Sequence, residues 1–163
     1  MASNWFVAWV ATGRERELLE RIRRVEGIEE TLAPETKLWK RRGGAWGKEK
    51  QLLFPGYIFV KCEMGSPIYY ALRELPGMIG WLGKDAQWPS TVSADEMDRV
   101  LRIAAGIDPR EVLEDLEINL RQRRGYGTIR IKDQAYRVPF NTYDDKQADE
   151  PAGDASPTEE EAE

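Results

Sequence analysis

Apolar runs and amphipathic stretches alternate along the N-terminal part of the chain. Residues 5–10 form a continuous apolar run of strand length, and residues 57–60 have the strongest β-propensity in the sequence. Between these runs, Leu18, Ile22 and Val25 recur at i, i+4 and i+7, which predicts a first helix with one buried face. The strand-length apolar runs and the helical spacing together indicate a mixed fold rather than an all-helical or all-β one.

Local start signals predict two more helices. Ser66 as N-cap with Pro67 at the first helical position predicts a second helix, and Ser93 with Glu96 forms a capping box that opens a third helix. Three further extended segments are predicted, at residues 31–39, 51–62 and 78–82. The order β-α-β-β-α-β-α predicts an α+β fold of the split β-α-β, ferredoxin-like type. In this sandwich the helices cover one face of an antiparallel sheet and leave the other face partly open.

A different pattern follows Gly106. A helix start signal at residues 108–111 precedes Val112, Leu116 and Leu120, whose four-residue spacing predicts a fourth helix. Alternating apolar residues then predict a small β-hairpin, at Ile129, Ile131, Tyr136 and Val138. We therefore divide the chain into a ferredoxin-like domain, a helix-plus-hairpin extension and an acidic tail, at residues 1–106, 107–143 and 144–163.

The negative charge is concentrated at the C-terminal end. The net charge is −5, but residues 144–163 hold nine acidic residues and one basic residue, whereas the preceding residues hold 23 basic and 20 acidic ones. The tail has too few apolar residues to offset the entropy of ordering, so we predict that it is disordered. Its acidic residues either keep the protein soluble or compete for the basic surface of the body.

The composition excludes several classes of chemistry. The chain has no histidine and a single cysteine, Cys62, which rules out histidine-dependent triads, imidazole metal sites and internal disulfides. We find no catalytic constellation and no glycine-rich phosphate loop, so we predict a non-enzymatic protein without metal, cofactor or small-molecule substrate. With no signal peptide and no apolar run of about 18 residues, the sequence predicts a cytoplasmic protein that does not span a membrane.

Aromatic residues cluster on two predicted strands that should be neighbours in the sheet. They are Trp5, Phe6, Trp9, Phe54, Tyr57 and Phe59. Strand alternation places about half of them in the core and the others on the open face, where contiguous aromatic residues indicate a binding surface. Such a surface is either a groove for a partner helix or a base-stacking platform. Residues 56–62 match part of the RNP1 motif, so a stand-alone single-stranded RNA-binding module of RRM-like topology stays open as an alternative.

A more specific resemblance rests on five segments in correct order and spacing. They are residues 5–7, 33–34, 42–44, 54–60 and 76–83, followed by Val92, Ser93 and Glu96 at the last helix start. Over about residues 4–105 the chain resembles the N-terminal domain of the NusG family of transcription elongation factors. The resemblance implies an elongation or antitermination factor that binds the clamp helices of the largest RNA polymerase subunit and suppresses pausing or termination. The residues implied at its hydrophobic depression are Trp9, Phe54, Gly56 and Tyr57.

The resemblance also implies nucleic-acid contacts beside the depression. In specialised members of the family this region reads the non-template DNA strand, and the residues implied here are Arg14, Arg16, Tyr69, Tyr70 and Arg73. The basic tip at residues 40–42 is a further candidate for contact with upstream DNA. For these arginines, ordinary surface charge is the alternative interpretation. Because the residues before the tail carry a net charge of only +3, DNA is expected to be a secondary contact.

The C-terminal part departs from the family pattern. Residues 127–133 resemble the opening strand of a KOW motif, but Gln-Ala-Tyr at residues 134–136 replaces the usual Gly-Pro-Phe turn. The chain becomes acidic after Tyr143, so we do not predict a complete KOW barrel. This favours a specialised antiterminator over a general factor. Whether residues 110–143 dock on the first domain is left open by the sequence.

Overall fold

The computed structural model describes residues 3–82, 88–132 and 134–142. The strands are β1 (Asn4–Val10), β2 (Ile28–Leu32), β3 (Glu35–Arg42), β4 (Ala45–Leu52), β5 (Tyr57–Cys62), β6 (Met78–Trp81), β7 (Glu114–Asn119), β8 (Arg124–Ile131) and β9 (Gln134–Asn141). The helices are α1 (Glu15–Arg23), α2 (Ser66–Arg73) and α3 (Ala94–Ala104). Within the described ranges, no helix has the length and apolar character needed to cross a membrane. The predicted disorder of residues 144–163 concerns residues outside these ranges.

Four antiparallel strands form the central sheet in the order β2-β5-β1-β6. On one face of this sheet, Phe6, Ala8 and Val10 of β1 pack with Leu18 of α1 and Leu72 of α2. The alternate residues of β1 enter this core because successive side chains of a strand point to opposite faces. The α+β class is therefore confirmed, with α1 and α2 on one face of an antiparallel sheet.

The opposite face of the central sheet is also covered. Helix α3 packs there through Met97 and Val100, and the C-terminal strands add Ile131 and Phe140 to a core that includes Phe59 of β5. The expectation of a partly open sheet face with all helices on the other side is wrong. An amphipathic pattern shows that a helix has a buried side, but it does not show which face of the sheet that side meets.

The extended segment predicted over residues 31–39 is two strands. Pro34, which has no N–H to donate to a sheet, lies between β2 and β3. Strands β3 and β4 then pair with each other along their whole length and form a separate two-stranded sheet. Gly43 and Gly44 join them with φ values of 57° and 81°, which agrees with the predicted turn.

The fourth helix predicted after Gly106 is wrong. Only Pro109–Glu111 form a short 3-10 turn, and the segment that follows pairs as β7 with β8. Strands β7, β8 and β9 form an antiparallel sheet whose second half is the predicted hairpin. Apolar residues spaced by four lie on one side of a helix, but an even spacing also keeps them on one side of a strand. The spacing of Val112, Leu116 and Leu120 was therefore compatible with both structures.

Two glycines of β8 allow neighbouring chain segments to approach closely. A Cβ at Gly125 would lie 2.4 Å from Cζ of Phe140 and 3.0 Å from the carbonyl oxygen of Glu117. A Cβ at Gly127 would lie 2.6 Å from Cβ of Leu113. The C-terminal sheet therefore depends on the absence of a side chain at these positions of its middle strand.

We expect Gly125→Ala to lower the free energy of unfolding by about 1–3 kcal/mol, because the added methyl group overpacks the contact with Phe140. The matched control is Gly47→Ala in β4, where a Cβ would have no heavy atom within 4 Å. Urea unfolding followed by far-UV circular dichroism measures the free energy of unfolding of both variants. Equal stability of the two variants would contradict the close packing of the C-terminal sheet.

Candidate functional site

Two aromatic residues, one exposed and one half-buried, lie side by side at one end of the central sheet. Trp9 of β1 is 48% exposed and is paired with Tyr57 of β5 on one side and Gly80 of β6 on the other. Gly80 has no side chain, and a Cβ there would lie 3.9 Å from Cε3 of the indole. Tyr57 is half-buried. We call Trp9 and Tyr57 the sheet-end patch.

Phe54 lies below this patch and is only 4% exposed. Its ring contacts Phe59 and Tyr136 edge-on, with centroid distances of 5.5 and 5.6 Å. The sequence led us to expect Phe54 on an open surface, and the C-terminal sheet buries it instead. Its implied place in a binding depression stays a prediction, but in this structure the ring supports the patch from within the core.

The turn before Tyr57 is held by a buried carboxylate. Glu15 is 4% exposed and accepts hydrogen bonds from the N–H of Gly56 at 2.7 Å and from the N–H of Gly13 at 2.8 Å. Gly56 has a φ of 89°, a conformation that favours glycine. Gly56 therefore sets the direction in which Tyr57 leaves the turn. The sequence did not indicate this role of Glu15, because a glutamate near a helix start has the pattern of a solvated residue.

Tyr136 of β9 closes the patch from the side of the C-terminal sheet. Its ring lies edge-on to Tyr57 with a centroid distance of 5.6 Å. Burial raises the pKa of the Tyr136 hydroxyl, and the neighbouring Tyr57 raises it further, so the group stays neutral. The same packing leaves Phe59 only 1% exposed, which removes it from the base-stacking platform that an RNP1-type site requires. The structure therefore gives no support to the alternative of an RRM-like module.

A second aromatic surface lies between α2 and the edge strand β6. A cleft of about 450 Å³ is lined by Tyr69, Tyr70, Arg73, Met78, Ile79, Gly80, Trp81 and Trp88. Tyr69 and Trp88 are stacked at 4.9 Å between centroids, and Tyr70 is 54% exposed. We call this the α2 cleft. The cleft brings together three of the five residues that were predicted to contact nucleic acid. It also contains Trp88, which no local sequence pattern had indicated.

The other two predicted nucleic-acid residues do not line the α2 cleft. The Arg14 guanidinium pairs with Glu17 at 2.8 Å and lies beside Gly77, where a Cβ would come within 3.1 Å of it. The hydrogen bond from Arg14 lowers the pKa of the Glu17 carboxyl. Arg16 pairs with Glu35 at the start of β3. Both arginines are thus engaged in surface ion pairs, which contribute little to stability.

The described residues hold no cluster of three or more His, Cys, Asp or Glu side chains that could bind a metal ion. Cys62 is fully buried in β5, and burial raises the pKa of its thiol to about 11, with Glu29 adding to the shift. Such a thiol is almost wholly protonated near neutral pH and is a poor nucleophile. The surfaces described above therefore consist of aromatic and basic groups suited to binding.

Comparisons with known proteins point to one family. A family model described as "Transcription termination factor nusG" matches residues 3–101. The "Transcription termination/antitermination protein NusG" of Pseudomonas aeruginosa is 31% identical over 113 residues, which cover 64% of this chain and 63% of that protein. The protein of the same name from Halalkalibacterium halodurans is 23% identical over 158 residues, which cover 91% of this chain and 85% of that protein.

A solved structure extends the likeness beyond the first domain. The structure described as "Domain interaction in Thermotoga maritima NusG" is similar with a TM-score of 0.60 at 18% identity, and covers 87% of this chain and 95% of that one. At this identity the similarity concerns the fold alone.

The four-stranded sheet, its two helices and the turn at residues 54–57 define an α+β domain with the fold of the Thermotoga maritima NusG structure. Because the family model covers more than half of the sequence, the chain belongs to the NusG family.

Proposed function

We propose that this protein is a non-enzymatic transcription elongation or antitermination factor. Its sheet-end patch binds the clamp helices of the largest RNA polymerase subunit, and binding suppresses pausing or termination. Membership of the NusG family and the names of its relatives support the role in transcription. Because the chain spans 63% of the Pseudomonas protein, the activity and partners of that whole protein enter here only as part of the proposal.

The exposure of Trp9 carries the assignment of the polymerase surface. Both faces of the central sheet are covered, yet a tryptophan remains 48% exposed beside Tyr57 at the sheet end. Large rigid aromatic side chains bury much apolar area at low entropic cost and are enriched among residues that dominate interfaces. Phe54 and Gly56 act as positioning residues, because one supports Tyr57 from the core and the other sets its backbone direction.

The α2 cleft is the proposed contact for a single strand of non-template DNA. Tyr70 offers an exposed ring for stacking on a base, and Arg73 offers a cation for a phosphate. Tyr69 is already stacked on Trp88 and forms the wall of the cleft. Arg14 and Arg16 lie outside the cleft, and we assign them to electrostatic attraction of DNA rather than to base reading.

We further propose that the protein acts in the cytoplasm, the compartment of the polymerase that it binds. Within the described residues, the C-terminal sheet has three strands and is docked on the first domain. Its residues cover Phe54 and Phe59, so this sheet acts here as a part of the core.

Titration of the fluorescently labelled full chain with purified core RNA polymerase tests the proposal. We expect saturable binding, and we expect longer transcripts past a pause site when the protein is added to a single-round transcription assay. Tight binding without any change in pausing or termination would restrict the function to polymerase binding. A lack of binding at micromolar polymerase would overturn the proposal.

A further inference from the structure

A cleft lined by basic and aromatic residues lies between the tip of the β3–β4 hairpin and the β7–β8 turn. It measures about 370 Å³ and is lined by Trp39, Lys40, Arg41, Arg42, Trp46, Arg121, Gln122, Arg124 and Tyr126. We call it the hairpin cleft. The sequence indicated only the basic tip at residues 40–42, and the fold adds residues 119–124 at the β7–β8 turn.

The two segments that form the hairpin cleft are rich in basic residues and poor in acidic ones. Residues 35–52 contain six basic and two acidic residues, and residues 119–124 contain three basic residues and no acidic one. Their combined charge of +7 exceeds the +3 of the whole chain before residue 144, so the remainder of that part is net negative. Such a focused patch attracts polyanions, even though the body as a whole is nearly neutral.

Several cations around the hairpin cleft are packed on indole rings. The Arg123 guanidinium lies 4.4 Å from the ring centroid of Trp46 and 5.2 Å from that of Trp39. The Lys48 ammonium lies 5.3 Å from the Trp39 centroid. Cation–π contacts of this kind position a guanidinium or ammonium group over the face of the ring. These contacts hold the cations in place before a ligand arrives, which lowers the entropic cost of binding.

Hydrogen bonds connect the β3–β4 hairpin to β8 and β9 beside the cleft. Arg124 donates from Nη2 to the carbonyl oxygen of Trp39 at 3.1 Å, across 85 residues of sequence. The side chain of Asn141 accepts from the N–H of Trp39 at 3.0 Å and donates to the carbonyl oxygen of Lys37 at 2.6 Å. Arg124 and Asn141 therefore have structural roles, whereas Arg41 and Arg121 are exposed on the rim of the cleft.

We propose that the hairpin cleft binds the phosphodiester backbone of a single nucleic-acid strand. Its volume falls in the range of about 300–1,000 Å³ found for ligand pockets and admits a nucleotide of one strand. A duplex, whose major groove alone is about 12 Å wide, would meet only the rim. Because phosphate contacts carry no sequence information, binding is independent of sequence. The proposal does not depend on polymerase binding at the sheet-end patch.

The test is fluorescence anisotropy of labelled 12-nucleotide strands, oligo-dT and oligo-U, with the full chain at several salt concentrations. We expect Arg41→Gln/Arg121→Gln to weaken binding by at least about tenfold and to lower the salt slope by about 1.4, which is 0.7 for each lost phosphate contact. The two strands should bind with similar affinity, because the phosphate groups are common to both.

The matched control is Arg102→Gln/Arg130→Gln, which removes the same charge from exposed positions on α3 and at the far end of β8. We expect it to change affinity by about twofold at most, since it alters only the long-range field. Thermal unfolding of both variants checks that they are folded. Equal losses of single-strand affinity in the two variants would overturn the proposed site. If a duplex of the same sequence binds as tightly as the single strand, the proposed ligand is wrong.

A different observation links the acidic tail to the hairpin cleft. The N–H of Thr142, the last described residue, donates to the carbonyl oxygen of Arg123 at 3.3 Å, so the described residues end beside the β7–β8 turn that borders the cleft. The acidic tail at residues 144–163 follows one residue later and has a net charge of −8. We infer that their carboxylates compete with nucleic acid for the arginines of the cleft.

Glu159→Gln/Glu160→Gln/Glu161→Gln in the full chain tests this competition. We expect single-strand affinity to rise by about three- to tenfold at low salt, and the gain to disappear near 1 M salt, where the screening length is about 3 Å. Combined with Arg41→Gln/Arg121→Gln, the tail substitutions should have little effect. An unchanged affinity, or an equal gain in the cleft variant, would overturn the inference.

Discussion

Trp9→Ala is expected to weaken binding to core RNA polymerase by roughly 30-fold or more, which corresponds to about 2 kcal/mol for a hot-spot residue. The indole is 48% exposed at the sheet end and packs beside Gly80, so its removal takes apolar area from the interface rather than from the core. The free energy of unfolding should change by about 1 kcal/mol or less. The measurement is a fluorescence titration of wild type and variant with the same polymerase preparation.

Leu101→Ala on α3 is the matched control for Trp9→Ala. Leu101 is 39% exposed, so the substitution also removes an exposed apolar side chain, but from α3 rather than from the sheet-end patch. We expect its polymerase affinity to equal that of the wild type. If Trp9→Ala binds as tightly as Leu101→Ala, the sheet-end patch is not the polymerase surface.

Phe54→Ala is expected to lower the free energy of unfolding by about 3–5 kcal/mol, the usual cost of removing a buried aromatic ring. The ring is 4% exposed and packs edge-on against Phe59 and Tyr136, so the substitution leaves a cavity between the central sheet and β9. Urea unfolding followed by circular dichroism measures the loss. An unfolding free energy within about 1 kcal/mol of the wild type would contradict the docking of the C-terminal sheet over Phe54.

Phe54→Leu separates the structural role of this residue from direct contact with polymerase. Leucine fills much of the same space, so we expect a loss of no more than about 1.5 kcal/mol and retained polymerase binding. A folded Phe54→Leu protein that loses binding as strongly as Trp9→Ala would show that the ring itself meets the partner. In that case the implied depression would include Phe54, and the C-terminal sheet would have to move for binding.

Two predictions based on hydrogen bonds between close neighbours in sequence agreed with the structure. The predicted N-cap role of Ser66 is wrong, because Ser66 is the first residue of α2 and Gly65 is the N-cap, with no side-chain hydrogen bond. The capping box at the start of α3 has both of its hydrogen bonds, from Ser93 N–H to Glu96 and from Glu96 N–H to Ser93. The Gly43-Gly44 turn also has the left-handed conformations expected of it. These features depend on two to four residues that lie side by side, so the sequence contains all the information that they require.

Predictions that depended on distant partners were less successful. Leu116 has the spacing of a helix, but its segment became β7 because β8, with glycines at positions 125 and 127, offered a strand that can be approached closely. Glu15 has the pattern of a solvated helix residue, but the N–H groups of Gly13 and Gly56 bind its carboxylate in the interior. Local patterns do not show which segment supplies a hydrogen-bond partner.

By itself, the sequence determined the α+β class, the family and strands β1, β5 and β6, because strand alternation and short motifs are local properties. Only the tertiary structure decided which face α3 covers, that Phe54 is buried, and that Arg124 and Trp39 meet across 85 residues to form a basic cleft. The physical reason is that burial and electrostatic focusing arise from groups brought together by packing. Periodicity indicates which side of a helix or strand is buried, whereas the fold determines which residues pack against that side.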